Sequence, residues 1–160
     1  MSDAVPSGGR VLTLQEAVAR FGPGRTRTLV FSNGCFDLLH RGHLALLTAA
    51  RALGDVLLVG VNSDRSVRRL KGEGRPAVPA RHRAALLASL RPVDGVIVFD
   101  EDTPIELIRA LSPDVLVKGG DYDRSSVVGG DEVEAAGGRV VLIPLVDAPS
   151  TTELLRRIRG

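Results

Sequence analysis

Five unbroken apolar runs limit what this chain can fold into more than any other feature. They are "TLVFS" (28–32), "DVLLVGVN" (55–62), "GVIVF" (95–99), "DVLVKGG" (114–120) and "RVVLIPL" (139–145). A strand with one face in water alternates apolar and polar residues, whereas a strand covered on both faces does not. Between the runs lie helix-patterned segments. "TLQEAVARF" (13–21) opens with Thr13 and Glu16 at capping-box spacing and ends at "GPG" (22–24). "LALLTAARALG" (44–54) is amphipathic and is expected to stop at Gly54. "ARHRAALLASL" (80–90) follows. Thr103, Pro104 and Glu106 mark a helix to about Leu111, with proline in its first turn and a capping-box glutamate. A short helix within 129–138 and a last one over 150–159 complete the series. Strands and helices thus alternate about five times. That pattern predicts an α/β fold, an open parallel sheet of about five strands with helices on both faces. The expected organisation is a flexible tail over residues 1–10 and one domain over 11–160.

Composition excludes several classes of function. Aromatic residues make up 3% of the chain and tryptophan is absent, so the stacking platforms that hold single-stranded nucleic acid are not expected. The net charge of +2 implies no large basic field, and no nucleic-acid partner is expected. Cys35 is the sole cysteine, so one chain can form neither a disulfide framework nor a multi-cysteine zinc site. No apolar run reaches the length of a membrane span and the N-terminus carries no signal-peptide core, so the expectation is a cytoplasmic protein without a membrane partner. Of 21 basic residues only Lys71 and Lys118 are lysines, and both fall in glycine-bearing segments.

Open parallel sheets bind ligands outside the carboxyl ends of their strands. The residues with chemical potential gather there: Asn33 to His43 after the first run, Asn62 to Asp64 after the second, Lys118 to Asp121 after the fourth, and Pro149 to Thr152 after the fifth. In "FSNGCFDLLHRGH" (31–43), Gly34 permits a close turn, and His40 and His43 stand three apart at a helix start, on one side of its first turn. A helix N-terminus offers unpaired N–H groups and a partial positive charge, which suits phosphate, and two imidazoles add donors. Gly42 would remove a side chain from the path of that phosphate. A zinc pair on a helix usually stands four apart with a glutamate, and no third ligand is evident here. Two purely structural histidines are the other alternative.

"NGCFDLLHRGH" resembles the signature of the cytidylyltransferase-like nucleotidyltransferases, and the resemblance runs from about residue 28 to the C-terminus. It implies a Rossmann-like fold and the transfer of a nucleotide from an NTP to a phosphorylated acceptor, with release of pyrophosphate. Together, "VNSD" (61–64), "LKGEGRP" (70–76), "DEDTP" (100–104), "VKGGDY" (117–122) and "STT" (150–152) look like the branch that adenylylates D-glycero-D-manno-heptose 1-phosphate. Many members of that branch are fused behind a sugar kinase domain. The chain resembles the stand-alone form, which implies a separate heptose kinase upstream. The glycerol-3-phosphate cytidylyltransferases share the first loop and the S-T-T but typically lead into it with Arg-Thr-Glu-Gly, where this chain has "LVDAP". The alternatives that remain are that cytidylyltransferase, a heptose 1-phosphate guanylyltransferase, and a non-catalytic nucleotide-binding regulatory module.

The resemblance implies roles residue by residue. His40, His43 and Lys71 are the expected catalytic residues. Ser32, Asn33, Gly34, Cys35, Phe36, Gly42, Lys118, Gly119, Asp121, Ser150, Thr151 and Thr152 are expected at the nucleotide, and Asp37, Asn62, Asp64, Arg75 and Arg83 at the acceptor. Several of these have plainer readings. Lys71 could be a solvated loop lysine, 118–121 a tight turn, Asp37 a loop brace, Cys35 a packing residue, and Ser150 with Glu153 a helix cap. Mg²⁺ accompanying ATP is the expected cofactor. A homodimer is the family-based expectation for assembly.

Overall fold

The computed structural model describes residues 10–144 and 146–160. Six strands form one sheet: β1 (Arg10–Leu12), β2 (Leu29–Gly34), β3 (Val56–Asn62), β4 (Gly95–Phe99), β5 (Val115–Gly119) and β6 (Arg139–Ile143). Their order is β1-β4-β3-β2-β5-β6, and every neighbouring pair is parallel. The helices are α1 (Leu14–Phe21), α2 (Arg41–Arg51), α3 (Asp64–Lys71), α4 (Ala80–Ala88), α5 (Ile105–Leu111), α6 (Gly130–Ala135) and α7 (Thr151–Arg159), with a 3₁₀ turn at Arg124–Ser126. The α/β Rossmann-like expectation holds.

The unbroken apolar runs are explained by two cores. Along β3, Val56 and Leu58 face one side with Leu107, Ile108 and Leu111 of α5. Leu57, Val59 and Val61 face the other with Leu47 of α2 and Leu87 of α4. All seven residues of β3 are buried, so no position can be polar without a partner. Register is held at the amino ends by three aspartates. Asp55, Asp94 and Asp114 accept the backbone N–H of Thr28, Leu57 and Leu29 at 2.8, 2.8 and 2.7 Å. Each carboxylate satisfies a donor that the ladder leaves open.

Several expectations are corrected. Arg10 belongs not to a tail but to β1, which pairs with Gly95–Ile97. Residues 1–9 of the expected tail, and Leu145 of the last apolar run, lie outside the described residues. β1 makes the sheet six strands rather than five. α2 ends at Arg51, not at Gly54. Gly54 serves packing instead: a Cβ there would meet Val30 Cγ2 at 2.7 Å and the Thr28 carbonyl at 2.9 Å. Thr13 and Glu16 do form the full capping box, with bonds of 3.1 and 2.9 Å. Pro104 is the cap of α5 rather than its first residue, and no side-chain cap bond forms there. Glu106 pairs with Arg109 at 3.1 Å instead.

The strand order reverses between β2 and β5, because the chain adds β3 and β4 on one side of β2 and β5 and β6 on the other. That switch point splays the loops after β2 and β5 apart and leaves a crevice at the carboxyl edge.

Candidate active site

A cavity of about 810 Å³ occupies this edge. Its lining comes from the ends of β2, β3, β5 and β6, from the turn after β4, from the last residues of α3, and from the first turns of α2 and α7. Of the expected site residues, Asn33, Gly34, Cys35, Phe36, Asp37, His40, Gly42, His43, Asn62, Lys71, Arg75, Lys118, Gly119, Ser150, Thr151 and Thr152 all line it. Ser32, Asp64, Arg83 and Asp121 do not.

The two histidines cap α2 reciprocally. His40 Nδ1 accepts from the Gly42 N–H at 3.1 Å, and His43 Nδ1 accepts from the His40 N–H at 3.4 Å. An accepting Nδ1 places the proton of a neutral imidazole on Nε2. The cap therefore selects the tautomer and leaves two Nε2–H donors for the cavity. The rings stack with centroids 3.8 Å apart, and Phe36 lies 5.2 Å from His43. Phe36 itself sits at φ 48°, a left-handed conformation costly for an aromatic residue. Its ring folds back over Gly34, where a Cβ would meet Phe36 Cε2 at 3.1 Å. Gly42 has a different reason from the one its spacing suggested. The space of its missing Cβ is filled by the His40 ring, whose Cε1 would lie 2.9 Å away.

Burial pushes His43 down to about 4, with His40 adding to the effect, and burial lowers His40 as well. Both rings are thus neutral donors near pH 7, not cations. An unfolded histidine takes its proton near 6.5, whereas folded His43 resists until about pH 4. In that window the unfolded chain binds more protons, so stability falls on acidification from pH 6.5 towards 4. Urea midpoints measured across the window should drop. The drop should be smaller in His43→Gln, which cannot titrate, and identical profiles would place the ring in solvent.

Positive charge comes from elsewhere. Lys71 ends α3, and Gly72 follows it at φ 91°. Lys118 is the penultimate residue of β5, and its Nζ stands 5.7 Å from the Tyr122 ring. Burial, and secondarily Lys71, lowers the Lys118 amine. Neither lysine has a salt-bridge partner among the described residues. Two ammonium groups facing one cavity, neither paired to a carboxylate, favour an anionic ligand between them. The α7 N-terminus adds its dipole. Ser150 Oγ accepts from the Glu153 N–H at 3.1 Å, and Thr151 Oγ1 donates to the Leu38 carbonyl at 3.3 Å, which docks α7 onto the loop before α2. Glu153 turns to Arg157 and does not complete a capping box. At Gly119 the side chain of Leu46 approaches to 3.1 Å of where a Cβ would stand, and Gly120 takes φ 114°.

The acceptor-side residues divide. Asp37 is buried, and its oxygens accept from Arg75 Nε at 2.7 Å and from the N–H groups of Ala77 and Val78 at 2.9 Å each. These hydrogen bonds and the Arg75 charge outweigh burial and hold its carboxyl below the ordinary range. Arg75 lines the cavity with its two terminal nitrogens unspent among the described residues. Arg83 is wholly buried. It donates to the carbonyls of Val78 (2.8 Å), Cys35 (2.5 Å) and Asn62 (2.8 Å) and to Asp64 Oδ1 (2.8 Å). Asp64 also accepts the Ala80 N–H at 2.8 Å. Ser32 Oγ donates across to the Val117 carbonyl at 3.0 Å. In this structure Arg83, Asp64 and Ser32 brace the cavity from behind, and Asp121 is exposed beside it. Cys35 Sγ stands 3.9 Å from Asn62 Oδ1, and burial raises its thiol. Sequence reasoning missed Asp102, Thr103, Tyr122 and Val146, which also line the cavity. The position of "DEDTP" at the end of a strand was the available signal for the first two.

No helix among the described residues is long and apolar enough to cross a membrane.

The Cytidylyltransferase-like family profile matches residues 31–148, the segment that contains the histidine cap and both lysines. The chain is 60% identical over 134 residues to the bifunctional protein HldE of Syntrophotalea carbinolica, covering 84% of this chain and 27% of that protein. It is 54% identical over 145 residues to the HldE of Citrifermentans bemidjiense, covering 91% and 30%. The chain therefore spans less than a third of the curated relatives it matches. Among solved structures, the lipopolysaccharide core biosynthesis protein from Thermoplasma volcanium superposes with a TM-score of 0.62 at 27% identity, over 77% of this chain and 99% of that one. Pantoate-beta-alanine ligase from Francisella tularensis shares the fold, with a TM-score of 0.63 at 14% identity over 88% of this chain and 68% of that one. With the match spanning the elements that build this cavity, the chain belongs to the cytidylyltransferase-like family and is a nucleotidyltransferase.

Proposed function

We propose that the chain transfers AMP from ATP to D-glycero-D-manno-heptose 1-phosphate and releases pyrophosphate. The observation that carries the transfer is the histidine cap: two neutral rings with their Nδ1 atoms spent on backbone N–H groups and their Nε2–H groups left for the cavity. The sequence elements of the heptose branch support the acceptor, as does likeness to a lipopolysaccharide core biosynthesis protein.

In the proposed step an oxygen of the acceptor phosphate forms a bond to the α-phosphorus of ATP. The bond from that phosphorus to the bridging α–β oxygen breaks, and its electron pair leaves with pyrophosphate. The attacking oxygen is already anionic, so no general base is needed. Catalysis then consists of alignment and charge stabilisation. His40 and His43 donate to phosphoryl oxygens, Lys71 and Lys118 offset negative charge, and the N-termini of α2 and α7 bracket the chain of phosphates.

Mg²⁺ is proposed to enter with the nucleotide. The protein alone offers it no cage. Both Asp37 oxygens are spent, and no group of three or more His, Cys, Asp or Glu side chains among the described residues could hold a metal ion. Entering with the nucleotide, Mg²⁺ would offset the negative charge of the triphosphate and of the departing pyrophosphate.

The test is pyrophosphate release, with Mg²⁺, from ATP, CTP, GTP and UTP against the α and β anomers of heptose 1-phosphate and against glycerol 3-phosphate. Release confined to ATP with one heptose anomer is expected. Release with CTP and glycerol 3-phosphate would move the chain to the sister activity. ATP binding without release on any acceptor would make it a regulatory module.

A further inference from the structure

The turn "DEDTP" after β4 takes no part in the transfer described above, yet Asp102 and Thr103 line the same cavity. We infer that this turn reads the hydroxyl groups of the acceptor, with Asp102 and Thr103 as specificity-determining residues. The inference rests on the sugar-phosphate reading.

The turn is a rigid wall. Ser63 N–H donates to the Phe99 carbonyl at 2.8 Å, and Ser66 Oγ to the Glu101 carbonyl at 2.9 Å. Arg65 pairs with Asp100 at 3.0 Å, and Arg69 Nε donates to Asp102 Oδ1 at 2.7 Å while its terminal nitrogen holds the Asp100 carbonyl. All of these partners belong to α3 or its cap. The turn is therefore fixed to the helix whose last residue is Lys71, and Asp102 bonds a residue two positions before that lysine.

What the wall leaves free is specific. Asp102 spends one oxygen on Arg69 and keeps Oδ2, and the Thr103 hydroxyl has no partner among the described residues. Next to them, Asn62 is 4% exposed and lines the cavity. Its Nδ2 donates to Ser66 Oγ at 2.9 Å, but its Oδ1 meets only the Cys35 thiol at 3.9 Å. A thiol is a weak donor, so this buried amide oxygen keeps a lone pair that a substrate O–H can use. Lys71 and Arg75 supply cations for one phosphate, and Asp102, Thr103 and Asn62 supply acceptors for several O–H groups. That order matches a molecule with one phosphate and a hydroxylated body. It does not match a second anion, which Asp102 would repel. On the opposite flank Tyr122, Ile143 and Val146 offer mainly carbon, which suits a nucleoside face.

The test compares wild type, Asp102→Asn and Thr103→Val with heptose 1-phosphate and with glycerol 3-phosphate, measuring KM for each acceptor and for ATP. Asparagine keeps an oxygen for Arg69 but puts an NH₂ where Oδ2 stood, so it rescues a bracing role and not a hydroxyl-reading one. The KM for heptose 1-phosphate should rise roughly ten- to hundredfold in Asp102→Asn and about three- to tenfold in Thr103→Val. The KM for ATP should stay within about twofold, and the preference for the heptose over glycerol 3-phosphate should shrink in proportion. Unchanged acceptor KM and preference in both variants would overturn the inference and leave the transfer reading intact. So would equal rises in KM for ATP and acceptor. A wild-type chain silent with every sugar phosphate would overturn the transfer reading itself, and this inference with it.

Discussion

Replacing His43 with alanine should lower kcat by roughly 10²-fold or more, the cost of deleting one donor from a site that stabilises developing charge. The variant removes an Nε2–H from the cavity. It also strips His40 of its stacking partner at 3.8 Å and leaves the His40 N–H without its 3.4 Å acceptor. His43 is only half-buried, so the folded state should persist. The decisive comparison is turnover against thermal midpoint in the same preparation. A large loss of kcat at a near-native midpoint fits a group that acts on the reacting phosphate. Turnover within about threefold of wild type would remove His43 from the transfer. A chain already unfolded at ordinary temperature would make the ring a structural element.

Arg83→Ala should have the largest effect on stability, about 3–5 kcal/mol, as expected when one partner of a buried, hydrogen-bonded charge is removed. The guanidinium is fully buried and satisfies three carbonyls and one carboxylate from three separate segments. Its loss leaves a cavity and takes the guanidinium donor from one buried and two part-buried carbonyls. For a chain of this length that corresponds to a fall in melting temperature of roughly 6–20 °C. Arg83→Lys should be intermediate, since an ammonium cannot span the same fork. A fall of less than about 1 kcal/mol on alanine substitution would show that water or neighbouring groups replace the guanidinium. Activity should fall alongside, because the Cys35 and Asn62 carbonyls that Arg83 holds lie in the loop leading to the histidine cap and at the end of β3 beside the acceptor wall.

The two substitutions mark different kinds of legibility. The histidine cap could be read in advance because its parts are close in sequence. A strand, a glycine and two histidines at fixed spacing meet at one helix start whatever the rest of the fold does. The sheet was legible for a related reason. The largely buried β2, β3, β4 and β5 leave unbroken apolar runs, and the half-buried edge strand β6 shares the pattern. β1 left no such mark, since Arg10, Val11 and Leu12 form a three-residue edge with two exposed positions.

Other matters were decided only when distant segments met. The family resemblance placed Arg83 and Asp64 at the acceptor and Ser32 at the nucleotide. Tertiary packing gave each of them a protein partner first, and a spent donor or acceptor has little left for a substrate. Gly42 was expected to clear a path for phosphate, and the fold filled that space with a ring from two residues away. The neutral state and tautomer of both histidines depend on burial and on backbone N–H groups that only the folded chain brings to Nδ1. By itself the sequence determined five of the six strands, the carboxyl edge where the candidate site gathers, and the two histidines at the start of α2. Which side chains face the cavity, and which are consumed in holding it open, was decided by contacts between residues tens of positions apart, and those leave no period or spacing to read.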